Sequence, residues 1–233
     1  MIDIKAIASG SHGNGYLLSD SKTKILIEAG VSAERFHQSG VKISDASGLL
    51  VSHEHSDHSK YIADFIKRGI ELYTSQGTFN ACGLKGMPHH TIKALHWFTL
   101  GSFEILPFDV IHDAVEPLGF YIRSTADNEN VLFFTDTAHV NYTFPKVHYL
   151  MAECNFCDDI LNDAVMKHRL GKNEADRIRI SHTGLNDLLN FIGELDKNYL
   201  REVWAMHLSD RHSNEVVVKK AIQELTGCPV HIC

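Results

Sequence analysis

Residues 52–58 read Ser-His-Glu-His-Ser-Asp-His, so His53, His55, Asp57 and His58 bring three imidazoles and a carboxylate into one short stretch. Neutral imidazole and carboxylate oxygen are the ligands of zinc and other borderline divalent cations, and such ions make water a nucleophile near neutral pH. On extended backbone His53, His55 and Asp57 alternate to one side, and His58, at the turn into a helix, can point back at the same place. One ion takes about four ligands and a catalytic ion keeps a position open, so further ligands are expected elsewhere in the chain. Three ligand-type side chains stand where apolar runs end: His112 after Val110 and Ile111, Asp136 after residues 131–135, and His207 after residues 203–206.

Other residues offer supporting chemistry. His182 precedes a helical stretch, and its ordinary pKa suits a general acid or a phosphate clamp, although a polar residue opening a helix accounts for it nearly as well. Lys167, Arg169, Lys172, Arg177 and Arg179 face only Glu174 and Asp176 in their stretch and form the candidate phosphate track, with a solvated helix face as the commoner explanation. The loop Ser9-Gly10-Ser11-His12-Gly13-Asn14-Gly15 suits a tight turn as well as a phosphate contact. Cys154 and Cys157 form a C-x-x-C with no second pair to complete a zinc ribbon.

The elements that must carry these groups follow from hydrophobic patterning. Strands are expected at 2–8, 16–18 and 24–27, a helix from an N-cap at Ser32 to Gly40, and a brief apolar strand at 49–51 that feeds the histidine stretch. Ile62, Phe65 and Ile66 then repeat at helical spacing up to Gly69. Further strands fall at 103–111, 119–123, 131–135, 147–153 and 202–206, with a hairpin turn at 127–130. Helices fall at 158–170 and 185–197, and a last one has Ser213 as N-cap and ends before Gly227. Strands come in runs, which favours a layered α+β fold.

With 233 residues, 44% hydrophobic and 22% charged, the composition is that of a soluble globular protein, and residues 1–233 read as one domain. The apolar runs are too short to cross a bilayer, and no basic segment followed by an apolar one opens the chain, so no membrane partner and a cytoplasmic location are expected. Five scattered cysteines fit a reducing compartment. A net charge of −7 argues against gripping nucleic acid by bulk electrostatics, and such a chain could complete its pocket as a homodimer.

The H-x-H-x-D-H stretch followed by a later His, an Asp and a final His resembles the metallo-β-lactamase superfamily. That resemblance implies an αββα sandwich with a dinuclear site: His53, His55 and His112 on one divalent ion, Asp57, His58 and His207 on the other, and Asp136 bridging. The segments 8–14, 25–32, 134–137, 153–155 and 207–209 are similar to the YycJ (WalJ) type of small hydrolase, with Glu28 where Asp is usual and Ala138 where Gly is usual. The implied activity is phosphodiester cleavage of DNA, exonuclease-like, by water activated on two zinc or manganese ions, with Asp57 and His182 as candidate catalytic residues. The alternative is a phosphodiesterase of cyclic nucleotides or other small phosphodiesters; a non-catalytic metal-stabilised binding module needs only four closed ligands and fits the longer ligand set poorly. The interval from Asp136 to His207 is too short for the inserted domain of RNA-processing nucleases.

Overall fold

The computed structural model describes residues Met1–Cys233, which form two compact units: Met1–Asp109 with Ala114–Glu129, and Val110–Asp113 with Asn130–Cys233. In the first unit, β1 (Asp3–Ala8), β2 (Gly15–Ser19), β3 (Lys24–Ile27), β4 (Leu49–Leu50), β5 (Leu72–Thr74) and β6 (His90–Thr91) make a six-stranded sheet in chain order. β1 to β3 pair antiparallel, whereas β3 to β6 pair parallel, with Leu26 opposite Leu49 and Leu49 opposite Leu72. Parallel strands need crossovers, and these are supplied by α1 (Ala33–Gln38), α2 (Ser56–Ser59), α3 (Ile62–Lys67) and α4 (Gln76–Ala81). Ser32 caps α1 by accepting from Arg35 N, as its sequence predicts. Phe36 of α1 and Phe65 of α3 meet edge to face at 5.5 Å within an apolar core that includes Leu26, Leu49, Val51 and Leu72. β7 (Phe98–Leu100), β8 (Phe103–Asp109) and β9 (Leu118–Ser124) add an antiparallel ladder in which Ile105 faces Ile122.

The second unit is built on parallel strands β10 (Glu129–Phe134), β11 (Tyr149–Glu153), β12 (Glu202–Met206) and β13 (Val230–Ile232). Every residue of β10 and β11 is buried, the continuous apolar pattern of strands covered on both faces. α5 (Asp158–Met166) and α6 (Lys172–Ser181) share a small core of Phe156, Leu161, Ala164, Leu170 and Ala175. α7 (Leu185–Glu194) packs against α8 (Glu215–Thr226) and buries Leu188 and Ile192. The cap of α8 is Asn214, not Ser213: the Asn214 side chain accepts from Val217 N at 3.1 Å, while the Ser213 hydroxyl turns back to Ser209 O. Gly227 closes that helix at φ +71°. No helix is long and apolar enough to cross a membrane.

Candidate metal centre

The first unit carries the histidine stretch directly beyond β4. Buried strand β4 fixes its start, and the His53 ring lies 4.7 Å from that of His55 and 4.3 Å from that of His58, centroid to centroid. The expected alternation holds only as far as His55. Ser56–Ser59 wind into the single turn α2, with His58 N donating to His55 O at 2.9 Å, so Asp57 and His58 are positioned by a helix and not by strand-like alternation. The physical reason is local: His55 takes an extended backbone and then supplies the first carbonyl of the turn, as an N-cap residue does.

Three buried neighbours hold this turn. Glu28, fully buried, brings Oε1 to 3.6 Å from His58 Nδ1 and accepts from Ser52 N through Oε2. A carboxylate at this distance faces the ring without a direct hydrogen bond and favours the imidazole's Nδ1–H side electrostatically. Asn14, also fully buried, reaches Asp57 O and His58 Nε2 at 3.2 and 3.1 Å, and its backbone N–H donates to Asp57 O at 2.7 Å. The glycine-rich loop thus serves to seat Asp57 and His58. Gly30 closes the arrangement: a β-carbon there would lie 1.6 Å from Asp57 O, so only glycine permits this approach.

The second unit carries His112, Asp136, His182 and His207, and it adds Glu153, which the sequence reading did not select as a site residue. Glu153 is fully buried at the end of β11. Its Oε1 lies 2.7 Å from His182 Nδ1 and 3.1 Å from His207 Nδ1, while Oε2 accepts from Thr137 N and Thr183 N. Asp136 Oδ1 stands 3.4 Å from His182 Nδ1, 3.5 Å from His207 Nδ1 and 4.0 Å from His112 Nε2, and Thr135 donates to its other oxygen. His112 is oriented through Nδ1 on Ser181 O at 2.9 Å, and its segment is pinned by Ile111 N to Thr137 Oγ1 and Ala138 N to Ile111 O. The rule that singled out Asp136, a ligand-type side chain where a buried strand ends, would have found Glu153 as well.

Backbone strain marks the same places. Glu28, Asp136 and His207 have φ of 65°, 47° and 53°, a left-handed conformation that non-glycine residues seldom take, and each stands just past the end of a strand. The electrostatics are equally local. Burial opposes ionisation of Glu153, but the His182 charge and the hydrogen bonds from both imidazoles outweigh it and hold the carboxyl below its usual range. Burial likewise works against the His182 imidazolium, yet Glu153 and then Asp136 raise its pKa. Cys154 and Cys157 are buried free thiols, and burial pushes Cys154 well above the usual thiol range, the reverse of a reactive thiolate.

The basic stretch is mostly engaged with carboxylates. Lys167 and Arg169 both reach Asp163, at 2.9 and 2.5 Å, Arg177 reaches Asp113 at 2.7 Å, and Arg179 pairs with Asp176 and Asn162. Lys172 opens α6 and is exposed.

Residues 23–208 match the family model described as a beta-lactamase superfamily domain. The chain belongs to the beta-lactamase superfamily. Its fold is similar to that of the metallo-β-lactamase fold protein YhfI from Bacillus subtilis, with a TM-score of 0.78 and 16% identity over 100% of this chain and 97% of that one. The α+β metallo-β-lactamase architecture expected from the sequence is therefore borne out, as is the resemblance to the YycJ type. The chain is 32% identical to exodeoxyribonuclease YycJ of Bacillus anthracis over 150 residues, 60% of this chain and 56% of that protein. It spans little more than half the length of that relative. It is also 24% identical to the anti-Pycsar protein Apyc1 of Paenibacillus xerothermodurans over 84% of this chain and 93% of that protein. For a member of this superfamily, the donor set is apt: Asp136, Glu153, His182 and His207 each bring a ligand atom to within 4.8 Å of the others, and imidazole with carboxylate suits a divalent cation.

Proposed function

We propose that the chain is a divalent-metal-dependent phosphodiesterase whose substrate is DNA, cut in an exonuclease-like manner. The observation that carries this reading is the knot in which buried Asp136 and His207 stand as donors with buried Glu153 and half-buried His182 as their support, in a chain 32% identical to an exodeoxyribonuclease. The proposed ligands are His53, His55, Asp57, His58, His112, Asp136 and His207, for two ions, zinc or manganese. When bound, such ions supply Lewis acidity to the phosphate and lower the pKa of water.

The chain's own residues do the rest. Glu153 would fix the tautomers of His182 and His207 through Nδ1 of each ring, and Glu28 places a carboxylate 3.6 Å from His58 Nδ1. His182 keeps Nδ1 on Glu153 and is left with its second ring nitrogen to protonate the leaving oxygen or to hold a phosphate oxygen.

One observation favours a second reading, a phosphodiesterase of cyclic nucleotides or other small phosphodiesters. Lys167, Arg169, Arg177 and Arg179 are paired with acidic side chains and offer little free charge to a long polyanion. Incubating the metal-loaded protein with linear duplex DNA, single-stranded DNA, cyclic mononucleotides and bis(p-nitrophenyl) phosphate in parallel decides the matter. Degradation of DNA with cyclic mononucleotides intact supports the nuclease, turnover of cyclic mononucleotides with DNA intact selects the second reading, and inertness towards all four removes both.

A further inference from the structure

Beside the knot, the second unit has a groove that the proposed chemistry does not use. One wall is the exposed face of α7, where Asp187, Asn190, Phe191 and Glu194 recur at the spacing of one helical stripe. The facing wall is the loop after Asp136, with Ala138, His139 and Val140, and the floor is Phe134 and Thr183. Phe191 meets Phe134 edge to face at 5.2 Å, and both rings line the groove. The space is about 150 Å³, similar to cavities that accept a single benzene-sized ring.

The lining selects among ligands. On the α7 wall two carboxylates disfavour a phosphate and accept hydrogen bonds only, and the Asn190 amide adds two donors and an acceptor; His139, on the facing wall, adds an imidazole that can donate or accept. Apolar walls with acceptors at the rim fit a flat heteroaromatic ring that donates from its edge. Carboxylates are the usual partners of the cytosine amine. Partial burial and the neighbouring Asp158 raise the pKa of Asp187 against the hydrogen bond it accepts from the Gly184 N–H and the charge of His139. The groove also runs towards the knot: Thr183, on its floor, directly follows His182 and donates through Oγ1 to Thr137 O at 2.6 Å.

We propose that this groove is a nucleobase subsite that takes a base presenting an exocyclic amine, cytosine or adenine, in preference to one presenting a carbonyl at that position. The amine donates to Asp187 or Glu194, the Asn190 amide donates to the adjacent ring nitrogen, and the ring packs on Phe191. Uracil or hypoxanthine would set a carbonyl oxygen against carboxylate oxygens and leave acceptors unmatched. The subsite rests on the phosphodiesterase reading only for what joins the base to a scissile phosphate.

The test is nitrogen-15 NMR titration of the zinc-loaded full chain with cytidine, uridine, adenosine and inosine, which contain no phosphodiester and are not turned over. Cytidine and adenosine are expected to shift the amide signals of residues 187–194 and to bind about tenfold more tightly than uridine and inosine, the ratio that one well-placed hydrogen bond supplies. Asp187→Asn should bring each pair to within about twofold, since the amide can donate where the carboxylate could only accept. Should Asp187→Asn perturb the fold, Glu194→Gln at the exposed end of α7 repeats the comparison. Equal binding of all four nucleosides, or shifts confined to residues outside the groove, overturns the assignment. Hydrolysis of bis(p-nitrophenyl) phosphate, which bears no base, checks the phosphodiesterase reading separately. Nucleoside selectivity in a preparation that hydrolyses nothing would uphold the subsite and remove that reading.

Discussion

At the scale of single residues, the proposed site divides its imidazoles and carboxylates into two kinds, those that would hold an ion and those that would aim them. His55 and Asp57 belong to the first kind and lie on a loop and a single helical turn outside the apolar core. His55→Ala or Asp57→Ala is expected to abolish hydrolysis while leaving the circular dichroism spectrum and urea midpoint close to wild type; a variant that cleaves phosphodiesters at the wild-type rate would refute the ligand assignment. Glu153 belongs to the second kind. Glu153→Gln keeps the shape but replaces an acceptor oxygen with a donor, and it should weaken metal affinity by about 10–100-fold, measured by competition with a chelator. An unchanged affinity would reduce Glu153 to a packing role. The candidate ligands were legible because H-x-H-x-D-H is dense in donors, and Glu153 was open to the strand-end rule that found Asp136, whereas Asn14 was hidden as a single polar residue whose partners lie far off in sequence.

Among elements, legibility followed the strength of the apolar pattern. β3, β10 and β12 were readable because their residues are mostly buried and apolar. The helix α6 was not, since Lys172–Ser181 buries only Ala175 and Ser181 and its charges mask any stripe. The turn α2 was missed for want of length, and what fixes it is contact with Asn14 and Gly30. Gly30→Ala should therefore displace Asp57 and cost about 3 kcal/mol in urea denaturation, at the upper end for overpacking; a loss under about 1 kcal/mol would mean that the turn yields easily. A second element-scale device is Asp20 in the β2–β3 turn, which accepts from Lys22 N, Thr23 N, Ser102 Oγ and Ser124 Oγ. Burial works against its ionisation, but the Ser124 and Ser102 hydroxyls and then the two amides win, and its pKa falls below 3.8. A depressed carboxyl stabilises the fold above its ordinary pKa and loses that contribution as pH falls through the folded value. Asp20→Asn should thus lower the urea midpoint most at pH 7 and progressively less in acid; a deficit independent of pH would point to packing alone.

For the molecule as a whole, the proposed metal chemistry would set stability and activity against each other at the strand ends. Asp136 is held in left-handed backbone, almost fully buried, and close enough to Glu153 that its charge opposes ionisation there. Left-handed geometry disfavours an L-residue by roughly 1–2 kcal/mol relative to glycine. Without metal, Asp136→Gly should relieve both burdens and raise the midpoint of thermal unfolding above wild type in chelator, even though the loss of the Thr135 hydrogen bond acts the other way. With metal added the order should invert, because only the wild type gains the stabilisation that a bound ion confers. A variant less stable in both conditions would show that the strain is harmless.

The left-handed turns at Glu28, Asp136 and His207 also forecast how this scaffold would decay under relaxed selection. At Asp136 the genetic code allows, by a single base change, a drift to glycine that would make the chain hardier as it becomes inert, whereas Glu28 also holds the α2 turn and would be lost less readily. Descendants that had lost their chemistry should carry glycine at position 136 long before their hydrophobic interiors began to change.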